Sequence, residues 1–197
     1  MNILISACLL GVNCRYDGSG KEIPELKELL SKHTLIPVCP EQLGGLSTPR
    51  SPAEIKDNKV ISKDLNDVTP EFTKGAEETL KLAKLYDCKY AILKERSPSC
   101  GSGKIYDGTF SKKLVDGDGF AAKLLKENGV EIIGETEIVN FLKNYWFIIW
   151  VVLLYTSDIF MPVWRNGRRT RLKIVRETMW VQIPPPVPEL YWDFNIL

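Results

Sequence analysis

The chain has 197 residues, with 26 Lys+Arg against 25 Asp+Glu, one His and five Cys, for a formal net charge of +1. That balance removes the electrostatic case for a general nucleic-acid binder, and a single His excludes the Ser-His-Asp triad, the Cys-His pair and multi-His zinc sites. An odd Cys count argues against a secreted disulfide framework, while 44% hydrophobic residues suffice for a buried core.

Asn2 to Ala7 is a short apolar run that predicts the first strand. Its continuation, Leu4-Ile5-Ser6-Ala7-Cys8, looks like a lipoprotein cleavage box, but no basic segment precedes it and the apolar run is too short. The expected location is the reducing cytoplasm. A loop rich in Gly, Asn and Asp follows through Gly20. Pro24 opens a helix with Leu26, Leu29 and Leu30 on one face. Thr34 to Val38 reads as the second strand. Cys39 to Pro52, with three Pro and two Gly, reads as a loop. Ile55 to Val68 alternates around Asp57-Asn58, which suggests a hairpin or an irregular excursion.

Thr69-Pro70-Glu71-Phe72 carries a helix start signal, and Phe72, Ala76, Leu80 and Ala83 keep helical spacing. Lys89 to Lys94 is the third strand. Ser97 to Gly119, with five Gly, reads as one long loop. Phe120 to Asn128 is a helix closed by Gly129. Val130 to Ile133 is the fourth strand and Glu135 to Leu142 the last helix. The order predicts an α/β fold, a small Rossmann-like parallel sheet flanked by helices, with ligands beyond the carboxyl ends of its strands.

Composition changes at Lys143. Residues 1 to 143 hold 17 Lys, three Arg and no Trp; residues 144 to 197 hold one Lys, five Arg and all five Trp. The tail starts with an 11-residue apolar run, Tyr145 to Tyr155, shorter than the roughly 20 residues a membrane-spanning helix needs. Its Trp180-Val181-Gln182-Ile183-Pro184 and Arg171-Leu172-Lys173-Ile174-Val175 resemble translated segments of a transfer-RNA gene. The expectation is a 1–143 domain followed by a readthrough or frameshift product. The alternative is a genuine membrane-surface or partner-binding tail. No function is assigned to residues 144 to 197, and no membrane contact is expected of residues 1 to 143.

Cys8, Cys39 and Cys100 follow the first, second and third strands, so the topology brings them to one edge of the sheet. Cys14 lies in the first of those loops. Cys88, just before the third strand, falls at the opposite edge and reads as a small buried hydrophobe. Without a CxxC pair, and with almost no His, a thiolate group of this kind favours an iron–sulfur or zinc site. All three Arg of the body (Arg15, Arg50, Arg96) fall in the same loops, beside Lys94. Glu41 is either a general base or the partner of one of those Arg. Ser97 is either a hydrogen-bond donor to substrate or a turn former before Pro98. Gly101-Ser102-Gly103-Lys104 is only half of a phosphate loop. Asp17 and Asp107, each before a Gly, read as turn residues. His33 reads as a satisfied surface or helix-terminus residue.

Three motifs carry a family resemblance. They are Ser6-Ala7-Cys8-Leu9-Leu10-Gly11 with Cys14-Arg15-Tyr16-Asp17-Gly18; Pro37-Val38-Cys39-Pro40-Glu41 with Gly44-Gly45-Leu46 and Pro49-Arg50; and Lys94-Glu95-Arg96-Ser97-Pro98-Ser99-Cys100-Gly101 with Tyr106-Asp107-Gly108-Thr109-Phe110. Residues 1 to 142 thereby resemble the bacterial 2-thiouracil desulfurases. The resemblance implies a [4Fe-4S] cluster on Cys8, Cys39 and Cys100 with one iron free, Cys14 being the other candidate ligand. It places the catalytic acid/base on Glu41 and a catalytic serine on Ser97. It implies that the soft thiocarbonyl sulfur meets the open iron as Lewis acid, Glu41 activates water, and hydrosulfide and uracil leave without net electron transfer. The implied partners are a thio-modified base or related thioamide and the iron–sulfur assembly machinery, not nucleic acid.

Two other readings stand beside it. A non-catalytic iron–sulfur or zinc module would use Cys14 as a fourth ligand and leave no open site. A phosphatase-like loop would pair Cys8 with Arg15, but six residues intervene where that geometry takes five.

Overall fold

The computed structural model describes residues 1–143; the apolar run and the Arg-rich stretch of the tail lie outside the described residues. Four parallel strands, β1 (Asn2–Ser6), β2 (Thr34–Val38), β5 (Tyr90–Leu93) and β8 (Glu131–Gly134), form one sheet in the order β2-β1-β5-β8. Two hairpins lie outside it: β3 (Ala53–Lys56) with β4 (Lys59–Ser62), and β6 (Lys104–Tyr106) with β7 (Leu114–Asp116). The helices are α1 (Leu26–Lys32), α2 (Pro40–Leu43), α3 (Thr69–Leu85), α4 (Phe120–Glu127) and a last one, α5, over 138–143 of the described residues. The α/β fold expected from the sequence is therefore present. No helix among the described residues is long and apolar enough to cross a membrane.

Side chains alternate across a strand, so each face of the sheet takes every second residue. Ile3, Ile5, Ile92 and Ile133 pack with Leu26 and Leu29 of α1 and Ile138 and Leu142 of α5. Leu4, Ala91 and Leu93 point the other way, onto Ala83 of α3 and Ala122 and Leu125 of α4. Helices thus cover both faces, which is why β1 can be apolar at successive positions: Ile3, Leu4 and Ile5 are all fully buried. Pro37 interrupts no ladder because β2 is an edge strand. Cys88 is buried in the α3/α4 layer, as its reading as a small hydrophobe requires.

Several expectations need correction. Leu30 is exposed, so the buried face of α1 is Leu26 and Leu29 alone, and the helix starts at Leu26 rather than Pro24. The loop read from Ser97 to Gly119 contains the β6–β7 hairpin, and the loop read from Cys39 to Pro52 contains α2. A 3-10 helix, Ala7–Leu10, follows β1 directly. The last helix starts at 138, because residues 135–137 form a turn in which the Glu137 carboxylate accepts the Gly134 N–H at 3.1 Å. The excursion after Pro52 is a true hairpin, turned by Asp57 and Asn58 with φ of 49° and 61°.

One close approach fixes α2. A Cβ on Gly75 of α3 would stand 1.9 Å from the Pro40 carbonyl oxygen, and one on Gly44 would stand 2.0 Å from the Glu71 carbonyl oxygen. The two helices touch backbone to backbone there, with no space for a methyl group on either side. Glycine in a helix interior costs about 1 kcal/mol against alanine, so Gly75 is retained for contact, not for helix stability. Gly75→Ala should therefore lower the denaturation midpoint, with a net loss of about 1–3 kcal/mol, although the substitution improves helix propensity.

His33 caps the end of α1, and its N–H donates to the Leu29 carbonyl at 2.8 Å. It is buried rather than on the surface, its ring tilted against Phe141 with centroids 6.1 Å apart. Burial, then the nearby α-amino group and Lys32, hold its imidazole below the ordinary histidine range. The unfolded chain thus binds the proton more readily, so this contribution is present above the ordinary value near 6.5 and is lost as pH falls below it. The melting temperature should drop between pH 7 and 5.5, and His33→Gln should flatten that drop in a thermal melt series.

Candidate active site

The parallel register brings β1 and β2 to an end together, with Ser6 opposite Val38, and sets Ile5 opposite Ile92 one residue before the end of β5. The chain leaves each strand at the same edge. Cys8 sits in the 3-10 helix after β1, and Cys39 is the residue that caps the start of α2. Cys100 is the last residue of the turn that follows β5. Cys8, Cys14, Cys39 and Cys100 all line one cavity of about 610 Å³, together with Glu41, Ser97, Arg15, Arg50, Lys94 and Arg96. All four cysteines are free thiols. Every site residue expected from the sequence is thus gathered at the carboxyl edge.

Cys14 lies with the others. Cys39 Sγ–H donates to the Cys14 carbonyl at 3.6 Å. Burial is the main cause that pushes Cys8 up to about 11 and Cys14 up to about 12, with Cys39 next in both cases. Burial also pushes Cys100 up, against the pull of a hydrogen bond with Ser6. Lys94 and Arg15 act in the opposite direction on Cys8, as does Arg50 on Cys14.

Glu41 is in the first turn of α2, where Pro40 at the first position suits a helix start. Its Oε2 accepts Nε of Arg50 at 2.8 Å and Nη2 at 2.7 Å. Its Oε1 accepts the Ser97 hydroxyl at 3.4 Å, a long hydrogen bond. Ser97 Oγ accepts the N–H groups of Ser99 at 3.1 Å and Cys100 at 3.2 Å. Those two bonds form the expected turn and fill the acceptor side of the hydroxyl, so its proton is directed at Glu41. The alternatives drawn for each residue therefore coincide: Glu41 pairs with an Arg while facing the cavity, and Ser97 shapes a turn while donating into it.

The other cations differ. Lys94 Nζ pairs with Glu135 at 2.5 Å, and Arg15 lies 3.7 Å from Asp17. Asp17 and Asp107 are turn residues, each accepting a backbone N–H two positions on at 3.0 Å. Lys104 begins β6 and pairs with Asp116, so the half phosphate loop is strand and turn. The phosphatase-like loop is not formed either. The amides of Gly11, Val12 and Cys14 bond to the carbonyls of Cys8, Ala7 and Val12, which leaves no ring of free amides around Cys8.

Sequence reading missed part of this cavity. Ser6 accepts the Lys94 N–H at 3.0 Å and joins β1 to β5 at the floor. Its signals were a polar residue ending an apolar strand and its place at the head of the first motif. Beside Tyr106 and Phe110 of the third motif, Glu54, Lys63 and Lys112 reach the wall from the two hairpins. No spacing announces them, because tertiary folding alone brings the hairpins there.

The donor set can be tested against a metal group. Among the described residues, no three His, Cys, Asp or Glu side chains are grouped to hold one metal ion. A single tetrahedral zinc needs its ligands to meet at a point. A cubane cluster is reached by thiolates spread around its corners, so sulfurs lining one cavity without meeting suit it better.

The description 2-thiouracil desulfurase matches residues 3–137 of the chain. The chain belongs to the 2-thiouracil desulfurase family. Its similarity to a solved structure, a [4Fe-4S]-dependent thiouracil desulfidase named TudS, is 40% in identity with a TM-score of 0.70, covering 74% of this chain and 98% of that one. The chain is also 43% identical over 150 residues to the uncharacterized protein YbbK of Bacillus subtilis (strain 168), covering 71% of this chain and 99% of that protein.

This desulfurase-family enzyme carries thiols raised well above neutrality when no metal is bound. In the metal-free chain, iodoacetamide should label Cys8 and Cys14 slowly at pH 7. The rate should rise about tenfold per pH unit toward pH 9, as thiolate accumulates below pKa values of about 11 and 12. Peptide mass spectrometry over a pH series measures this directly.

Proposed function

We propose that this enzyme removes sulfur from 2-thiouracil or a related thio-modified base without net electron transfer, using a [4Fe-4S] cluster held by Cys8, Cys39 and Cys100. The overall balance is thiocarbonyl plus water giving carbonyl plus hydrogen sulfide. The observation that carries the reading is one cavity lined by these thiols, Glu41 and Ser97 at the carboxyl edge of the sheet, in a chain of this family. The TudS protein is described as a [4Fe-4S]-dependent thiouracil desulfidase, and the same cofactor suits the donors here.

When bound, such a cluster supplies a soft Lewis acid for the thiocarbonyl sulfur. The chain's own residues do the rest. Glu41 Oε1 accepts a proton from the attacking water, since Oε2 is held by Arg50. Ser97, its hydroxyl proton directed at the same oxygen, relays or orients. Lys94 and Arg15 offset the charge of the thiolates at Cys8.

A second reading has its own support. Cys14 lines the same cavity and its carbonyl accepts from Cys39 Sγ–H, so a fully ligated four-cysteine centre without catalysis is the alternative.

Anaerobic reconstitution of the full chain with iron and sulfide separates the two. The expected result is four irons per chain and conversion of 2-thiouracil to uracil, followed by loss of its ultraviolet band. Glu41→Gln should keep the cluster and lose roughly 10²- to 10⁴-fold in rate. Cys8→Ser, Cys39→Ser or Cys100→Ser should lose the cluster, whereas Cys14→Ser should keep both cluster and turnover. A cluster that needs Cys14 and turns over nothing would establish the second reading.

A further inference from the structure

We infer that Arg50 is a positioning residue, one that turns Glu41 into a carboxylate with a single working oxygen; this rests on the proton-accepting role proposed for Glu41. A guanidinium has five N–H donors in a fixed plane and no acceptor. Those of Arg50 are taken up by protein. Nε donates to Glu41 Oε2 at 2.8 Å and Nη2 to the same oxygen at 2.7 Å. Nη2 also donates to the Cys14 carbonyl at 3.1 Å. Nη1 donates to the Ser47 carbonyl at 3.1 Å and to Thr48 Oγ1 at 3.1 Å. These five contacts leave Arg50 no donor for a substrate.

The saturation decides the role. Arg50 lines the cavity, yet its side chain is only 8% exposed and its hydrogens are occupied. It acts through Glu41. Two donors on Oε2 stop the carboxylate from rotating and leave Oε1 towards Ser97 and the cavity. The guanidinium is itself immobilised from two loops. The backbone N–H of Arg50 donates to the Tyr16 carbonyl at 2.8 Å, and Nη2 donates to the Cys14 carbonyl in the same loop. The carbonyl of Cys14 accepts from Cys39 Sγ as well. One planar group therefore ties the proton acceptor to the loop that carries Cys14. A lysine could supply the charge, but not two contacts converging on one oxygen and three more from the same planar group.

The test uses the full chain and two independent readouts. In reconstituted Arg50→Lys, kcat should fall roughly ten- to hundredfold, as for a catalytic group displaced by about an ångström. KM should stay within about twofold and iron content should be unchanged. Methylguanidinium should restore part of kcat to Arg50→Ala. In the metal-free chain, a ¹⁵N–¹H spectrum should show one sharp, slowly exchanging arginine Nε–H signal that vanishes in Arg50→Lys and broadens or moves in Glu41→Gln.

A wild-type kcat in Arg50→Lys would overturn the proposal. So would a raised KM with unchanged kcat, which would mean direct contact with substrate. Loss of rate only in proportion to loss of iron would also overturn it, leaving Arg50 as a loop support. If the wild type turns over no thiocarbonyl compound, the functional reading fails, while the Nε–H signal and its response to Glu41→Gln still decide the Arg50–Glu41 coupling.

Discussion

Everything at the site depends on the register of a parallel sheet. Ser6 stands opposite Val38, and Ile5 opposite Ile92, so three strands deliver their following loops to one edge at nearly one level. The register is set by burial on both faces. Ile3 and Ile5 must face α1 and α5 while Leu4 faces α3 and α4. A slip of one residue would exchange those faces and move every side chain of the strand to the wrong layer. The same slip would carry Cys39 away from Cys8. Core packing and thiol placement are thus one constraint.

A second constraint acts on the carboxylate in the cavity. Glu41 rides on a helix of a single turn, which has almost no stability of its own. Gly44 and Gly75 let that turn lie directly on the backbone of α3, a 17-residue helix packed on the sheet. From the other side, Arg50 holds the carboxylate itself. The short helix is therefore fixed by what surrounds it. Its position is transmitted from the core through backbone contact, not through a flexible side chain.

The readable part of this structure was the part governed by periodicity. The apolar strand Asn2–Ser6, the spacing of Phe72, Ala76 and Ala83, and the Gly129 stop with φ of 79° all announce themselves locally. So does the location of the site, because strand ends can be counted and the cysteines follow them. What stayed hidden has tertiary causes. Pro and Gly in Cys39–Pro52 look like a loop, yet Pro40 at the first helical position and Gly44 at the end delimit α2. The β6–β7 hairpin lies in a Gly-rich stretch and is exposed along β7, so no burial pattern marks it. That Arg50, among three candidate arginines, meets Glu41 cannot be read from composition. It follows from the Tyr16 and Cys14 carbonyls that receive it.

The energetics of the thiols explain how four cysteines can line one cavity of a folded domain. Buried neutral thiols behave as small hydrophobes, so Cys8, Cys14 and Cys100 add to the core as long as they stay protonated. Their raised pKa values express that: the charged form is what the cavity resists. Small zinc domains, by contrast, fold only on metal because they have little other core. Here the sheet and its two helical layers supply the core independently of the site. Deprotonating these buried sulfurs leaves charge that needs an offset within the cavity. Lys94, Arg15 and Arg50 lower the cost for Cys8 and Cys14 from fixed positions. The same cations that ease thiolate formation also hold Glu135, Asp17 and Glu41. Thiol charge, the orientation of Glu41 and loop position are therefore set by the same three cations.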